Sequence, residues 1–518
     1  MSEDEPARVD FPAGPDGRRS TSALGRAVVA DALRQVDPAA AAEAGRESNW
    51  RAGYLTHFRA LIEAGLPAPQ TALSVARDGL ASLHERMRVV GPAGSGEAQT
   101  DLAGPGEAET SLAALISAPA RHGLTAVTVA GSGPAEGELS LPYHGERLRG
   151  SALQRRLETW VSEGVIEPSC AAAVQAVAAN PGWLALPGRT VVALGAGAEV
   201  GPLPILLSWG ARVVGVDLPR PAIWAPILEA ARRSGGTLLV PVAHGEADRN
   251  QADADLASQA GFDLASDVPA VADWLAGLDG PLVLGNYVYA DGADNVRVAS
   301  AVDALTVRLQ AARPDIALGF LATPTDVFAV PADAVGQSAR AYLTRSRAAR
   351  LGGWPLRALS GGRLLRRAYP GDADPGICDS LIPQQGPNYA LAKRLQRWRA
   401  TVARDGGTAV SVNVAPPTLT RSVTKNRVLA AAYAGAHRFG VEVFEPATTR
   451  TLMAALLVYD LHAGGAAQPH PWQDEAHAAA HGGLWRIAYT PRSALGLATL
   501  LGYAATTGKA RGSASRPA

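Results

Sequence analysis

The sequence predicts an α/β protein built on a doubly wound parallel sheet, with a mainly helical extension before it. Within residues 191–216, an apolar run, a glycine-rich turn, a helical stretch and a second apolar run follow one another. Further apolar runs at 282–284, 316–321 and 410–414 alternate with helical patterns. Such alternation is typical of strands that pair in parallel across intervening helices.

The chain of 518 residues divides unevenly. Low hydrophobicity at both ends predicts disorder there, and a stretch rich in Gly, Pro, Glu and Thr predicts a linker. The predicted parts are a disordered N-terminus (1–20), a mainly helical extension (21–185) with a linker (91–111), a catalytic α/β domain (186–505) with an arginine-rich insertion (333–378), and a disordered tail (506–518).

Composition argues against several classes of protein. The net charge is zero and the pI about 7.2, which leaves no electrostatic footprint for nucleic acid. Cys170 and Cys378 form neither a disulfide framework nor a zinc motif, and the spacing of His470, His477 and His481 matches no metal motif. The acidic start lacks the apolar stretch of a secretory signal, and no apolar run reaches the ~18 residues of a membrane span. We therefore expect a cytoplasmic protein with no metal, nucleic-acid or membrane partner.

The turn after the first apolar run is the first candidate site. It reads Leu-Gly-Ala-Gly-Ala-Glu-Val-Gly over residues 194–201, and the second apolar run ends at Asp217. Gly195, Gly197 and Gly201 would admit a pyrophosphate beside the following helix, and the Asp217 carboxylate would accept hydrogen bonds from ribose hydroxyls. With both strands and the acid present, the pattern favours a nucleotide-type cofactor. An ordinary strand-to-helix turn is the alternative interpretation.

A tyrosine and a lysine four residues apart form the second candidate site. The chain has only three lysines, so coincidence is a poor account of the pair Tyr389 and Lys393. Pro387 before the pair and the glycines at 406–407 predict a helix, and residues i and i+4 share one helix face. A neighbouring ammonium lowers the pKa of a tyrosine, which lets it exchange a proton near neutral pH. Alternatively, Tyr389 packs and Lys393 is solvated.

Together these patterns resemble the short-chain dehydrogenase/reductase family over residues 186–502. The resemblance implies a Rossmann-type sheet and a nicotinamide cofactor. It also implies that Tyr389 is the acid/base, and that Lys393 lowers its pKa and holds the nicotinamide ribose. Asp217 favours NAD over NADP because a carboxylate repels a 2′-phosphate, while Arg220 is the residue that would accommodate NADP.

The resemblance assigns roles to further residues. They are Asp267 and Val268 near the adenine, Asn286 after the fourth strand, and Thr323, Thr325 or Ser380 in place of the family's substrate-orienting serine. The sequence also departs from the family pattern. Leu194 and Glu199 replace a Thr and a Gly of the cofactor turn, and Thr325 lies 64 residues before Tyr389, where the family serine lies much closer.

The expected function is therefore carbonyl reduction or alcohol oxidation on a small-molecule substrate. The sequence is also compatible with a homo-oligomer. Two alternatives stay open. An S-adenosylmethionine-dependent methyltransferase also uses a Gly-x-Gly turn and an acid after the second strand, although no Asn/Asp-Pro-Pro-Tyr-like motif follows the fourth strand. A nucleotide-binding protein that has lost catalysis is compatible with the altered glycine turn and the displaced serine.

The insertion at 333–378 is rich in arginine, at positions 340, 345, 347, 350, 357, 363, 366 and 367. One interpretation is a solvated helical face. The other is a lid that receives an anionic substrate, since Arg pairs well with carboxylate and phosphate. Because the insertion lies between two candidate site elements, we expect it to cover the substrate cleft.

Overall fold

A computed structural model describes residues 7–92, 107–245, 253–464 and 468–513. Its centre is a seven-stranded sheet with strands labelled in chain order as β1 (Leu124–Ala130), β2 (Thr190–Leu194), β3 (Arg212–Val216), β4 (Thr237–Ala243), β5 (Leu282–Asn286), β6 (Ala317–Ala322) and β7 (Val410–Val414). The order across the sheet is β7-β6-β5-β2-β3-β4-β1. Strands β2 to β7 pair in parallel, and β1 pairs antiparallel with β4. The predicted α/β class and mostly parallel sheet are confirmed.

The inner strands are apolar throughout because helices cover both faces of the sheet. Every residue of β2 is buried. Val192 and Leu194 point into one core, and Val191 and Ala193 into the other. The first core includes the helices Val268–Ala276, Ala293–Ala312 and Gly386–Asp405. The second includes the helices Gly150–Glu163, Pro168–Ala179, Leu203–Ser208, Pro221–Arg233, Asp253–Gln259 and Pro446–Ala463.

The N-terminal part is helical, as predicted, but it is not a separate extension. Besides Gly150–Glu163 and Pro168–Ala179, its helices are Thr21–Leu33, Pro38–Arg46, Trp50–Gly65, Pro69–Arg86 and Ala114–Ser117. It also contains a 3₁₀ turn at Pro181–Trp183 and a short hairpin of the strands Leu141–Tyr143 and Glu146–Leu148. Strand β1, which we placed in the extension, instead forms the edge of the central sheet. The boundary at 185/186 is therefore wrong, because strand pairing joins segments that are distant in sequence.

The predicted disorder of residues 1–20 and the predicted linker at 91–111 are corrected where the structure describes them. Strand Arg8–Asp10 pairs with Arg88–Pro92, which pairs with Glu107–Ser111. Val9 and Phe11 are almost fully buried, and this burial holds the N-terminal strand in place. Residues 1–6 and 93–106 lie outside the described residues.

The segment 327–379 begins with the strand Val327–Val330 and ends with the strand Gly376–Asp379, and these two strands pair antiparallel. Two helices lie between these strands, Ala332–Leu343 and Arg347–Leu359. The remaining helices follow β7 and are Arg421–Lys425, Arg427–Ala436, a 3₁₀ turn at His437–Phe439, Pro471–Ala476 and Pro491–Ser513.

The last helix corrects the predicted disorder of the tail. It extends through residues 506–513. Residues 514–518 lie outside the described residues. Over the described ranges, we find no helix long and apolar enough to cross a membrane, and no cluster of three or more potential metal ligands.

Candidate cofactor and substrate site

The glycine turn follows β2 at the carboxyl edge of the sheet. Gly195 has a φ of +81°, and a Cβ there would lie 2.9 Å from the carbonyl oxygen of Tyr287, in the loop after β5. A Cβ on Gly197 would lie 2.9 Å from Cγ2 of Ile223. Glycine at these two positions is therefore required by the turn and by close packing. At Gly201 a Cβ would lie 3.2 Å from the carbonyl oxygen of Ala198.

Asp217 faces this turn from the end of β3. Its Oδ2 accepts a hydrogen bond from the Gly197 backbone N–H at 2.8 Å, and its Oδ1 accepts one from the Leu218 N–H at 2.8 Å. Burial raises the pKa of the Asp217 carboxyl, while these two hydrogen bonds and Arg220 lower it in part. The sequence correctly placed the acid beside the turn.

Two arginines bring positive charge to the same turn. The Arg450 guanidinium donates to the Glu199 carbonyl oxygen at 2.8 Å. The Glu199 carboxylate accepts the Arg421 N–H at 2.8 Å and lies 3.6 Å from the Arg421 guanidinium. Glu199, which stands where the family has glycine, is thus held by the first residue of the helix Arg421–Lys425 and by the helix Pro446–Ala463. Both arginines were missed because their positions have no local sequence pattern.

Tyr389 lies in the first turn and a half of the helix Gly386–Asp405, which confirms the predicted helix. Its side chain is half-buried, and its ring makes an edge contact with Tyr289 at a centroid distance of 6.1 Å. Burial raises the pKa of Tyr389 to about 12, and a hydrogen bond with Thr323 offsets this only in part. Loss of water is the dominant cause, and a lowering of this pKa by Lys393 stays a prediction.

Lys393 instead faces the sheet. Its Nζ donates to Gln396 Oε1 at 3.0 Å and to the Leu321 carbonyl oxygen at 3.4 Å. Gln396 Nε2 in turn donates to Asn286 Oδ1 at 3.3 Å. Burial lowers the pKa of Lys393 to about 8. This chain of hydrogen bonds connects the Tyr389 helix with the end of β5, which packs against the glycine turn.

Of the candidate substrate-orienting hydroxyls, those of Thr323 and Thr325 follow β6, and that of Ser380 follows the strand Gly376–Asp379. The hydroxyls of Thr323 and Thr325 are 2.8 Å apart, and Thr325 donates to Gln385 Oε1 at 2.8 Å. Ser380 is buried and its hydroxyl lies 3.1 Å from the Cys378 sulfur. Thr325 and Ser380 line one cavity, so the structure brings two of the three candidates together. Gln385 was missed, although it directly precedes the predicted helix.

A buried ion network holds the Tyr389 helix against the loop after β6. Asp326 pairs with Arg394 at 2.7 Å and with Arg397 at 2.6 Å, and Arg397 also pairs with Glu475 at 2.5 Å. Asp326 and both arginines are almost fully buried. Because Asp326 directly follows Thr325, the network fixes the threonines relative to Tyr389.

Asp267 and Val268 lie apart from these contacts. Asp267 begins the helix Val268–Ala276, 3.8 Å from His122, and Val268 is fully buried in the core. Among the described residues, neither makes a recorded hydrogen bond or ion pair with the glycine turn. Segment 261–262 reaches Asp217 instead, through the Phe262 N–H, which donates to the Asp217 carbonyl oxygen at 2.8 Å.

The arginine-rich insertion has two distinct parts. The helix Arg347–Leu359 is exposed along almost its whole length. Arg363 and Arg366 line a recess together with Arg492. Among the described residues, Tyr389 contacts Tyr289 and Thr323 rather than the insertion, and a lid over the cleft stays a prediction.

The donor set around the turn fits a nucleotide in two respects. Asp217 presents a carboxylate of the kind that accepts ribose hydroxyls, and Arg450 supplies positive charge of the kind that a pyrophosphate needs, whereas Arg421 is paired with Glu199. The helix after the turn contributes less than expected, since Leu203–Ser208 has only six residues and Pro at positions 202 and 204 removes two N–H donors.

Comparison with known proteins adds no assignment. No model of a protein family matches the sequence, and no curated protein shows significant sequence similarity to it. The resemblance to short-chain dehydrogenases/reductases therefore rests on the motifs described above.

Proposed function

We propose that this chain is an NAD(P)-dependent oxidoreductase of Rossmann type that reduces a carbonyl or oxidises an alcohol. One observation carries the proposal. The hydrogen bonds from Lys393 through Gln396 to Asn286 connect the Tyr389 helix to the strand end that packs on Gly195. A tyrosine acid/base and a cofactor turn would act on one substrate only if they met at one edge of the sheet.

The strand order supports the cofactor part of the proposal. Counted from β2, the six parallel strands follow the order 3-2-1-4-5-6, which is typical of dinucleotide-binding sheets. Strands β2, β3 and β4 follow one another toward one edge of the sheet, whereas β5, β6 and β7 follow one another toward the other edge. The strand order therefore reverses between β2 and β5. In open α/β sheets, ligands bind at the carboxyl ends of the strands beside such a reversal. Gly195 and Asn286 lie at these two strand ends.

The chemistry assigned to Tyr389 follows from its pKa. A phenol with a pKa of about 12 is protonated at neutral pH, so it is a proton donor for the oxyanion that forms when a carbonyl is reduced. The hydroxyls of Thr323, Thr325 or Ser380 would orient that oxygen. A bound nicotinamide cofactor would supply the hydride, and Lys393 would contact its ribose.

Ligand-induced stabilisation tests the cofactor class. A ligand that binds only the folded chain at 100 times its Kd adds about 2.7 kcal/mol of stability, so melting temperatures are compared with NAD, NADP and S-adenosylmethionine. We expect a rise with NAD, and a smaller rise with NADP. A rise with S-adenosylmethionine alone would favour the methyltransferase. Absence of any rise would refute nucleotide binding altogether.

Turnover is then followed as NADH absorbance against a panel of carbonyl compounds. Consumption of NADH that depends on Tyr389 supports the oxidoreductase. Binding of NAD with no turnover of any carbonyl or alcohol would favour the nucleotide-binding protein that has lost catalysis.

A further inference from the structure

We propose that the recess lined by Arg363, Arg366 and Arg492 binds an oxyanion, and that the ligand carries a small apolar group in the adjoining cavity. The ligand class is a small carboxylate or phosphate monoester with a short alkyl branch. Calling this ligand the substrate rests on the proposed function, whereas the binding site stands on the contacts that follow.

The recess has a volume of about 380 Å³ and lies between two segments that are distant in sequence. The Arg366 backbone is fixed to the start of the last helix, because its N–H donates to Ser493 Oγ at 3.1 Å and its carbonyl accepts the Thr490 N–H at 2.9 Å. These contacts bring the Arg363–Arg366 turn beside Arg492. The recess is thus held in shape by backbone contacts.

The charge of the recess is strongly positive. Arg492 pairs with the buried carboxylate of Asp379 at 2.6 Å. Arg363 and Arg366 have no ion pair among the described residues, and residues 334–371 contain no Asp or Glu. Asp379 also interacts electrostatically with Arg366, so three guanidinium groups face one carboxylate and the recess keeps a net positive charge. Guanidinium groups suit carboxylate and phosphate because they donate paired, parallel hydrogen bonds.

Arg492 also lines a second, apolar cavity of about 70 Å³. Thr325 and Ser380 also line this cavity, and most of its remaining wall is apolar, from Leu381, Ile382, Ala432, Ala436, Val441 and Leu495. A cavity of about 150 Å³ holds benzene, so this one accommodates only a few carbon atoms.

The two spaces together define the ligand. The anionic end of the ligand would bind Arg363 and Arg366. The rest of the ligand would pass Arg492, enter the apolar cavity and reach the hydroxyl of Thr325. Thr325 is hydrogen-bonded to Thr323, which in turn hydrogen-bonds with Tyr389. A carbonyl at that end of the ligand would lie on the side of the proposed proton donor.

The anion site is tested by calorimetric titration of inorganic phosphate and acetate at low ionic strength, without nucleotide. The variant Arg363→Gln/Arg366→Gln should bind both anions at least about tenfold more weakly than wild type. The control Arg347→Gln/Arg350→Gln removes the same charge from the exposed helix of the same insertion and should bind as wild type. Equal losses in both variants, or no binding by wild type, would overturn the proposal.

The apolar cavity is tested by extending the same anions. Isobutyl phosphate and 3-methylbutyrate should bind wild type about tenfold more tightly than phosphate and acetate. Ala436→Leu fills the cavity wall and should abolish this gain without weakening phosphate, whereas Ala434→Leu, on the exposed side of the same helix, should keep it. If wild type binds the branched anions no more tightly than phosphate and acetate, the apolar part of the proposal fails.

These titrations separate the site from the proposed function. Anion binding that depends on Arg363 and Arg366, without any NAD-induced stabilisation, would leave the site intact and refute the oxidoreductase. NAD-dependent turnover without this anion binding would support the oxidoreductase and refute the anion site.

Discussion

Tyr389 and Lys393 share one helix face, and both lose water there. Burial favours the neutral form of each group, so the pKa of the phenol rises while that of the ammonium falls. Lys393 is directed to Gln396 and the sheet. The pair is therefore arranged as a protonated phenol beside a lysine that can change its charge near pH 8.

Removing the phenol hydroxyl should separate chemistry from binding. We expect Tyr389→Phe to lower kcat by at least about a hundredfold, the scale of general acid catalysis, with NAD affinity nearly unchanged. Steady-state kinetics and titration of NAD measure the two quantities. Tyr459→Phe, on the helix Pro446–Ala463, is the control and should behave as wild type. Full activity of Tyr389→Phe on a confirmed substrate would disprove the assignment.

Lys393 should make stability depend on pH. Its pKa of about 8 in the folded chain lies below the unfolded value of 10.5. Between these values the unfolded chain binds more protons, so the free energy of unfolding rises with pH. From pH 8 to pH 10, wild type should gain about 2 kcal/mol relative to Lys393→Met.

Urea unfolding of both proteins at each pH gives this difference, and comparison with Lys425→Met, an exposed lysine, controls for general effects. An identical pH dependence in wild type and Lys393→Met would show that Lys393 titrates normally.

The Asp217 carboxylate should decide between cofactors. Asp217→Ala is expected to lose about tenfold in NAD affinity, because the acceptor of the ribose hydroxyls is removed, and to gain affinity for NADP. Titration of both cofactors measures this. Arg220→Ala tests the opposing residue and should affect NADP alone. Tighter NADP binding by wild type would contradict the prediction.

At the scale of elements, the helices Arg427–Ala436 and Pro491–Ser513 cross at unusually close range. A Cβ on Gly435 or Gly502 would overlap a backbone carbonyl of the other helix. Glycine at the crossing therefore lets the two backbones touch. This contact positions Ala436, Leu495 and Ala498, which line the apolar cavity.

Gly435→Ala should destabilise the protein by about 1–3 kcal/mol, because the added methyl group forces the helices apart. Gly496→Ala, in the last helix, has open space around its Cβ and should be neutral, or stabilising by up to about 1 kcal/mol. Urea midpoints at constant m compare the two. A neutral Gly435→Ala would mean that the helices are not in contact in solution.

At the scale of the whole molecule, the N-terminal half completes the sheet and the cores of the C-terminal half. Strand β1 covers the edge of β4, and the helix Pro168–Ala179 packs in the core beside Pro446–Ala463. The ring of Trp398 lies so close to Gly79 that a Cβ there would be 2.3 Å from it. The two halves share their cores.

The fragment 186–505 should therefore fail to fold cooperatively, since its sheet edge and two core faces would be exposed. The control fragment 7–505 keeps these contacts and should unfold in one transition, with coincident circular dichroism and tryptophan fluorescence. A sharp, coincident transition in fragment 186–505 would establish an independent domain.

The sequence alone determined the elements whose signals are local. Apolar runs predicted β2, β3, β5, β6 and β7, because strands that are buried on both faces need apolar residues throughout. The glycine turn beside Asp217 and the helix that carries Tyr389 and Lys393 were likewise predicted from spacing. Periodicity and turn chemistry act over a few residues, so a single sequence reveals them.

Only the tertiary structure decided which distant residues meet. Pairing of β1 with β4, the contact of Gln396 with Asn286, and the convergence of Arg366 on Arg492 join residues with no shared local pattern. The burial that raises the pKa of Tyr389 was likewise not visible in the sequence. The contacts between distant residues and the pKa of Tyr389 depend on which surfaces lose water together when the chain folds, and that is a property of the packed molecule.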